Sequence, residues 1–243
     1  MTTPEAASRG VQQRPRLNTQ RVLRAAVDLA DESGIESVTM RSLAHGLGVE
    51  PMALYNHVAN KEEMLDGMVN VVLTEINDAT NGIAGDWKSA MRRRILAARE
   101  VLLRHRWTPG VLESRKDLPA SFDRYYDTLI GLFRKGGFST DLTHHALHAL
   151  GSRALGFTQE PWDDSQPLPD PSFIARQMAG EYPNTAAMLI DVTHDADTTL
   201  GWCDDQVEFE FALDLLLDGL ERLRDADPSP AAEAPEADEP SVP

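Results

Sequence analysis

Residues 39–61 have the sequence TMRSLAHGLGVEPMALYNHVANK, which contains the signals for two short helices and the turn between them. Thr39 can cap a short helix, and Gly48 can end it because glycine tolerates the left-handed backbone that often follows a helix. Pro51 suits the first position of the next helix, where its missing N–H removes no hydrogen bond. Two short helices separated by a glycine-containing turn predict a helix-turn-helix whose second helix runs to about Val58.

Residues that can start or end a helix also lie on both sides of this stretch. Asn18 can cap a first helix that ends near Ser33, and its apolar residues recur at helical spacing. Asn60 can cap a fourth helix with one apolar side. The apolar side of that helix consists of Met64, Leu65, Met68, Val69, Val72 and Ile76. Residues 18–68 are therefore predicted to form a helical domain that contains the helix-turn-helix.

Charge divides the chain into two parts. The net charge of −16 argues against a nucleic-acid partner, because phosphate binding is mainly electrostatic. Residues 1–61, however, contain seven Lys or Arg and six Asp or Glu, which gives a net charge of +1. Five arginines and no acid lie between Ala6 and Val27. The first sixty residues therefore avoid the acidity of the rest and remain compatible with DNA.

The predicted second helix of the helix-turn-helix carries side chains suited to a DNA groove. A helix about 10–12 Å across fits the major groove, while the preceding helix contacts the backbone. Asn56 can read a base edge, and Met52 and Ala53 can contact a thymine methyl group. Tyr55 and His57 can bond phosphates. The generic motif also occurs in proteins that never bind DNA, so the motif alone leaves both interpretations open.

The remainder of the chain predicts a larger helical body over residues 69–224. It has no glycine-rich phosphate loop and no alternation of strands and helices, so the predicted fold class is all-α. The last helix, residues 207–224, is apolar on more than one side, which indicates burial against a second subunit. Residues 1–17 are interpreted as a flexible basic arm, and the acidic Pro/Ala-rich residues 225–243 as a disordered tail.

Cysteine content and hydropathy restrict the compartment. The single cysteine, Cys203, excludes an intrachain disulfide framework and suits a reducing environment. No run of about 18 apolar residues is present, and residues 1–10 lack the apolar core of a signal peptide. A cytoplasmic protein without membrane contact is therefore predicted.

A family resemblance is carried by the N-terminal motifs. The matching residues are Leu43, Ala44, Gly48, Val49, Leu54, Tyr55, His57, Val58, Asn60, Lys61 and Leu65. Together they resemble the TetR family of bacterial transcriptional repressors from Asn18 to about Met68. The resemblance implies that this segment binds double-stranded operator DNA. The residues it places at the DNA are Arg41, Pro51, Met52, Ala53, Tyr55, Asn56, His57 and Lys61.

The body resembles the C-terminal domain class named after the tetracycline repressor. The matching segments are residues 102–106, 136–139, 154–157, 159–160 and 211–223. The resemblance implies an all-helical homodimer joined through its C-terminal helices, with a small-molecule pocket in each subunit. Binding of the effector in that pocket changes the separation of the two DNA-binding heads in the family.

The same resemblance indicates the candidate effector site. The tetracycline-binding member of the family uses a histidine as metal ligand where this chain has Leu112, which cannot coordinate a metal. Tetracycline is therefore disfavoured, and a largely apolar effector is expected. No metal and no cofactor are predicted. The positions aligned with the drug site or available as pocket walls are Asn77, Arg94, Ala98, Leu112, Phe157 and Glu160.

Other features leave alternatives open. His144 and His148 have a spacing that can hold zinc, but no third ligand completes the set. Residues 158–183 predict a long loop with a short helix from about 172 to 180, which could cover the pocket. The favoured interpretation is a ligand-responsive repressor of a palindromic operator, without catalytic activity. The alternatives are a carrier or enzyme that retains a helix-turn-helix fold, and a regulator of the opposite sign.

Overall fold

The structure, a computed structural model, describes residues 16–115, 117–156, 171–191 and 205–226. Within these ranges the chain forms eleven α-helices and a short 3-10 helix at Ile35–Ser37, and it contains no strand. The all-α fold class predicted from the sequence is confirmed. The helices are α1 (Thr19–Ser33), α2 (Met40–Leu47), α3 (Pro51–Leu54), α4 (Lys61–Thr80), α5 (Trp87–Arg104), α6 (Thr108–Glu113), α7 (Ala120–Lys135), α8 (Thr140–Gly156), α9 (Pro171–Met178), α10 (Pro183–Asp191) and α11 (Asp205–Ala226).

The chain folds into two compact units, and the boundary between them along the sequence lies between Val71 and Val72. In the first unit, α1 begins and ends as predicted. The side-chain oxygen of Asn18 accepts a hydrogen bond of 2.8 Å from the backbone N–H of Arg21, and Gly34 follows the last residue of the helix. This capping satisfies an N–H group that has no partner inside the helix.

The predicted start and end of α2 are also confirmed. Thr39 and Ser42 form a reciprocal capping box, in which each side-chain oxygen accepts from the other residue's backbone N–H. Gly48 ends the helix with a φ of 66°, in the left-handed region that disfavours a side chain. The turn between α2 and α3 is therefore encoded by local chemistry.

The second helix of the motif is shorter than predicted. It ends at Leu54 rather than near Val58, and residues 55–57 form a turn. The N–H of His57 donates to the carbonyl of Leu54 at 2.8 Å, which is the tighter i to i+3 pattern. The N–H of Val58 also donates to that carbonyl, at 3.0 Å, so the segment stays compact beyond the helix.

The start of α4 completes the first unit. The side-chain oxygen of Asn60 accepts from the N–H of Glu63 at 2.8 Å, which confirms the predicted cap. Gly67 permits the close approach of α1, because a Cβ at this position would lie 2.6 Å from a methyl carbon of Leu23. The predicted apolar side of α4 is buried throughout. These contacts leave the turn between α2 and α3 supported by a small closed core.

The second unit has its core between α5, α7, α8 and α11, which pack against one another. Three aromatic side chains meet at the centre. The Trp87 and Phe138 ring centroids are 4.6 Å apart, and those of Phe133 and Phe138 are 4.9 Å apart, both in edge-to-face geometry. Such contacts add a specific preference to the burial of apolar area.

Ion pairs fix one side of α11 against α5. Arg92 contacts Asp214 at 2.7 Å and Glu210 at 2.6 Å, and Lys88 contacts Asp218 and Glu221 at 2.6 Å each. These carboxylates raise the pKa of Arg92 through hydrogen bonds. The α11 helix was predicted over residues 207–224, and the structure confirms it with two further residues at each end.

A different side of α11 is exposed and apolar, as the sequence predicted. Phe209 and Leu213 are buried, whereas Phe211 is 61% exposed and Leu215 is 54% exposed. A stripe of apolar side chains runs along the exposed side at a spacing of mostly four residues. This α11 stripe consists of Val207, Phe211, Leu215 and Leu223.

The α9 and α10 helices form a small hairpin with Ala175 and Ala186 buried between them. The short helix predicted near residues 172–180 corresponds to α9, which ends two residues earlier, at Met178. Residues 158–170 of the predicted loop, the arm up to residue 15, Cys203 and the tail from residue 227 lie outside the described residues. No helix in the described ranges is both long enough and apolar enough to cross a bilayer.

Candidate nucleic-acid interface and ligand cavity

The segment from Pro51 to Val58 has one anchored side and one open side. Leu54 and Val58 are buried, as predicted. Met52 is 74% exposed and Tyr55 is 46% exposed. The side chains available at this surface combine apolar contacts, an amide and a hydroxyl, which are the groups that contact base edges and phosphates. Pro51 and Asn56 are exposed as well, while Ala53 and His57 are half-buried.

Exposed cationic side chains lie on helices next to residues 51–58, which we call the recognition segment. Arg41 on α2 and Lys61 at the start of α4 are both exposed. The hydroxyl of Thr19 donates to the backbone carbonyl of His57 at 3.4 Å, so the start of α1 lies beside the recognition segment. A shallow polar groove on α1 includes Arg21 and Arg24. Cationic side chains of the first unit are therefore contributed by α1, α2 and α4, while Asp28 lies in the same groove as Arg21 and Arg24.

Sequence reasoning did not include Arg21 and Arg24 among the DNA-contacting candidates. The signal that could have identified them is the acid-free, arginine-bearing run between Ala6 and Val27. On α1 the two arginines are three residues apart, which places them on one face of the helix. Phosphate contacts from such side chains orient a protein on the duplex without reading its sequence.

The second unit contains an apolar cavity of about 80 Å³. It lies among α4, α5, α6, α7 and α8. The lining consists of Leu73, Ile76, Ile95, Ala98, Leu102, Thr108, Leu112, Phe122, Tyr125, Tyr126, Leu129, Leu147, Leu150 and Gly151. Among the residues that the structure describes, the lining includes no charged side chain. An apolar enclosure with few polar groups is typical of small-molecule sites.

The structure distributes the six predicted effector residues unevenly. Ala98 and Leu112 line the cavity. Asn77 and Arg94 are not part of the lining. Phe157 and Glu160 lie outside the described residues.

The side chains of Asn77 and Arg94 have other partners. The Asn77 amide donates to the backbone carbonyls of Leu73 at 2.9 Å and Ser121 at 2.8 Å, which ties α4 to the start of α7. Arg94 is half-buried, and its guanidinium donates to the carbonyl of Ile83 at 3.4 Å. Burial lowers the pKa of Arg94, and the nearby Tyr125 raises it by a smaller amount. The Asn77 amide therefore supports the wall of the cavity, whereas Nε of Arg94 is buried without a hydrogen-bond partner among the described residues.

Polar groups of the cavity are few and uncharged. Burial raises the pKa of the Tyr125 hydroxyl and also that of Tyr126, so both remain protonated at neutral pH. Thr108 is fully buried, and its hydroxyl has no hydrogen-bond partner among the described residues. Sequence reasoning missed Thr108 because it lies in a short helix that the apolar periodicity did not predict.

A polar cluster connects α4 to the end of α5. The Glu75 carboxylate lies 2.6 Å from the Arg104 guanidinium and 3.1 Å from Nε2 of the buried His105. Glu75 belongs to the same helix as Leu73 and Ile76, which line the cavity. The segment that leads into Thr108 is therefore held directly to α4.

The histidine pair considered as a metal site is exposed on α8. The ring centroids of His144 and His148 are 4.6 Å apart, and His145 lies 3.7 Å from Asp141. In the part of the chain that the structure describes, no three or more His, Cys, Asp or Glu side chains are grouped to hold a metal. The pair has no third ligand within this part.

Family models match both units. Residues 22–68 match the model described as bacterial regulatory proteins of the tetR family, and residues 81–224 match the tetracyclin repressor-like C-terminal domain. The chain belongs to the TetR family. The α2–α3 motif lies within the first matched region, and four of the five helices around the cavity, α5 to α8, lie within the second.

Individual TetR-family relatives match most of the chain. The class D tetracycline repressor of Escherichia coli is 34% identical over 64% of this chain and 71% of its own length. The transcriptional repressor DrrR1 of Streptomyces coeruleorubidus is 29% identical over 86% of this chain and 79% of its own. A solved structure, a possible TetR family transcriptional regulator from Streptomyces coelicolor A3(2), has 31% identity and a TM-score of 0.69, covering 85% of this chain and all of its own.

Proposed function

We propose that this TetR-family chain is a ligand-responsive transcriptional repressor, released from a palindromic operator by a small and largely apolar effector. The observation that carries the proposal is the exposed recognition segment, which is anchored by Leu54 and Val58 and flanked by Arg41 and Lys61. The two relatives named above are both repressors by name. We propose domain limits of 18–68 for DNA binding and 69–224 for effector binding and dimerisation.

At the operator, the exposed side chains have separate roles. Asn56 reads a base edge, and Met52 and Ala53 contact thymine methyl groups. Tyr55 and His57 bond phosphates, and Pro51 sets the start of the helix. Arg41 and Lys61 supply the charge that attracts the backbone, which makes binding dependent on salt.

The cavity supports an effector that is mostly apolar. Burying a charged group without a partner is costly, and the described lining offers no ion-pair partner. Leu112 lies in the lining and cannot coordinate a metal, so a tetracycline–magnesium chelate is a poor fit. The chain itself catalyses no reaction in this proposal, because effector binding alone performs the regulation.

The functional unit in this proposal is a homodimer. The α11 stripe exposes apolar side chains that a second copy of the chain would cover. A two-fold dimer brings its recognition segments roughly 34–36 Å apart, which matches successive major grooves on one side of B-form DNA. Such symmetry requires a palindromic operator.

Regulation then follows from linkage. The α4 helix is continuous from Lys61 to Thr80, so it begins in the DNA-binding unit and ends at the cavity. The effector and the operator prefer different positions of α4. Effector binding therefore weakens operator binding, typically by about 1–3 kcal/mol. The same factor applies in reverse to effector affinity.

Selection of bound fragments from a random duplex pool tests the function. We expect enrichment of a palindrome whose half-sites are about one helical turn apart. Affinity for that duplex falls steeply as salt rises. Absence of duplex affinity at every salt concentration would instead support the carrier or enzyme alternative.

A further inference from the structure

We propose that Thr108 is the polar anchor of the cavity, and that the effector is an uncharged aromatic molecule whose hydroxyl or carbonyl oxygen bonds to it. This inference rests on the proposed function, because it names the chemical class of the effector that the cavity accepts. It goes further by assigning the specificity for that class to one side chain.

The buried hydroxyl of Thr108 lacks a hydrogen-bond partner among the described residues. Its side chain is fully buried, and it lines the cavity. A buried hydroxyl without a partner is destabilising, and such groups are uncommon in proteins. A ligand oxygen that enters the cavity would satisfy it.

Other polar side chains lie near the cavity: Tyr125 and Tyr126 also belong to the lining, and Nε of Arg94 is buried without a partner among the described residues but lies outside the lining. The amide of Asn77 already donates to Leu73 and Ser121 and is not part of the lining. Thr143 also has a buried hydroxyl without a partner among the described residues, but it is not in the lining. Thr108 is therefore the lining residue whose buried hydroxyl has no partner among the described residues.

The lining determines the rest of the ligand. Phe122 and Tyr126 belong to the lining, and their rings stack on each other with centroids 4.5 Å apart and an interplanar angle of 26°, so part of the lining is aromatic. The volume of about 80 Å³ exceeds the roughly 10–15 Å³ that one water molecule needs, so the cavity has room for a small ligand. Burial raises the pKa of both tyrosine hydroxyls further above neutrality, and the described lining contains no charged side chain that would compensate an ionic charge.

The test uses three probes of similar size: naphthalene, 2-naphthol and the anion 2-naphthoate. Their affinities for the DNA-free full-length protein are measured by titration calorimetry and competition. We expect 2-naphthol to bind about threefold to tenfold more tightly than naphthalene, because it adds one hydrogen bond. 2-Naphthoate should bind more weakly than both neutral probes.

Variants isolate the hydroxyl. Thr108→Val should lower the 2-naphthol affinity to that of naphthalene, while Thr108→Ser should retain the preference. Thr143→Val is the matched control, because it removes a buried hydroxyl outside the lining and should leave all three affinities unchanged. Both valine variants should unfold at a higher temperature than the wild type, which also verifies that they fold.

Three results would overturn the proposal. These are unchanged 2-naphthol affinity in Thr108→Val, tightest binding of 2-naphthoate, and absence of binding of both neutral probes. Operator affinity is measured separately on the selected duplex. A protein that binds no duplex but shows the Thr108-dependent preference would disprove the repressor function and leave the anchor standing.

Discussion

The recognition segment and α11 both expose large apolar side chains, yet their surroundings differ. Met52 and Tyr55 project from a four-residue helix and the turn after it, beside exposed Arg41 and Lys61. The α11 stripe runs along a long helix whose other side is held by acidic residues in ion pairs with α5. The charged residues near an exposed apolar side chain therefore indicate which partner it contacts. Apolar side chains near cations suit a DNA groove, whereas the apolar stripe of an acidic helix suits an apolar protein surface.

The anchored side of the recognition segment should show the largest effect. Leu54→Ala removes a fully buried side chain and should cost about 2–5 kcal/mol in the free energy of unfolding. Met52→Ala, at an exposed position of the same helix, should change stability by less than about 0.5 kcal/mol. Urea denaturation measures both, and equal losses would show that the segment has no open side.

The α11 stripe should respond to charge in a way that the recognition segment does not. Phe211→Asp places a carboxylate in the proposed dimer contact and should weaken dimerisation by about 2 kcal/mol or more, which is about thirtyfold in the dissociation constant. Met52→Asp is the matched control and should leave the dimer intact. Sedimentation equilibrium measures the dissociation constant of each dimer. A Phe211→Asp protein that dimerises as tightly as the wild type would show that α11 is not part of the dimer interface.

The exposed side of the recognition segment should matter for DNA and not for folding. Tyr55→Ala and Lys61→Ala should each weaken operator binding by about 1–2 kcal/mol with unchanged stability, because both side chains are exposed. Lys61→Ala should also reduce the slope of log affinity against log salt by about one. Gel-shift affinity that stays unchanged in both variants would contradict this assignment.

The ion pairs of α11 should give the smallest effect. Hydrogen bonds from Gln206 and Arg92 lower the pKa of Glu210. The ionised Glu210 side chain therefore stabilises the fold at pH values above its ordinary pKa of 4.5, and this stabilisation is lost as the pH falls through the lowered pKa. Partial exposure limits this contribution to below about 1 kcal/mol. Urea denaturation between pH 3 and 7, compared for wild type, Glu210→Gln and the exposed control Glu100→Gln, should show a smaller loss at acidic pH in Glu210→Gln alone.

Much of the first unit could be predicted because its signals act over three or four residues. Asn18, Thr39 and Asn60 cap helices with hydrogen bonds to backbone groups three positions later. Gly48 supplies a backbone conformation that other residues disfavour. The end of α3 was missed, since residues 55–58 contain no helix-breaking residue and the tighter turn at Leu54 depends on the packing of Leu54 and Val58.

The cavity could be predicted far less well. Alignment by resemblance placed Asn77 and Arg94 at the drug site, but the structure uses the Asn77 amide to tie α4 to α7 and keeps both residues out of the lining. It brings Thr108 into the lining instead. Periodicity identifies which side of a helix is buried, but it does not identify which buried side chains face a shared open space.

By itself, the sequence determined most helices of the first unit with their caps, the turn between α2 and α3, and the apolar character of α11 on more than one side. These depend on local backbone chemistry and on apolar spacing along one helix. Only the tertiary structure decided where five helices leave a space, which hydroxyl remains unsatisfied beside it, and which charges pair α5 with α11. Those features depend on residues far apart in the chain, whose distances are set by how the helices pack.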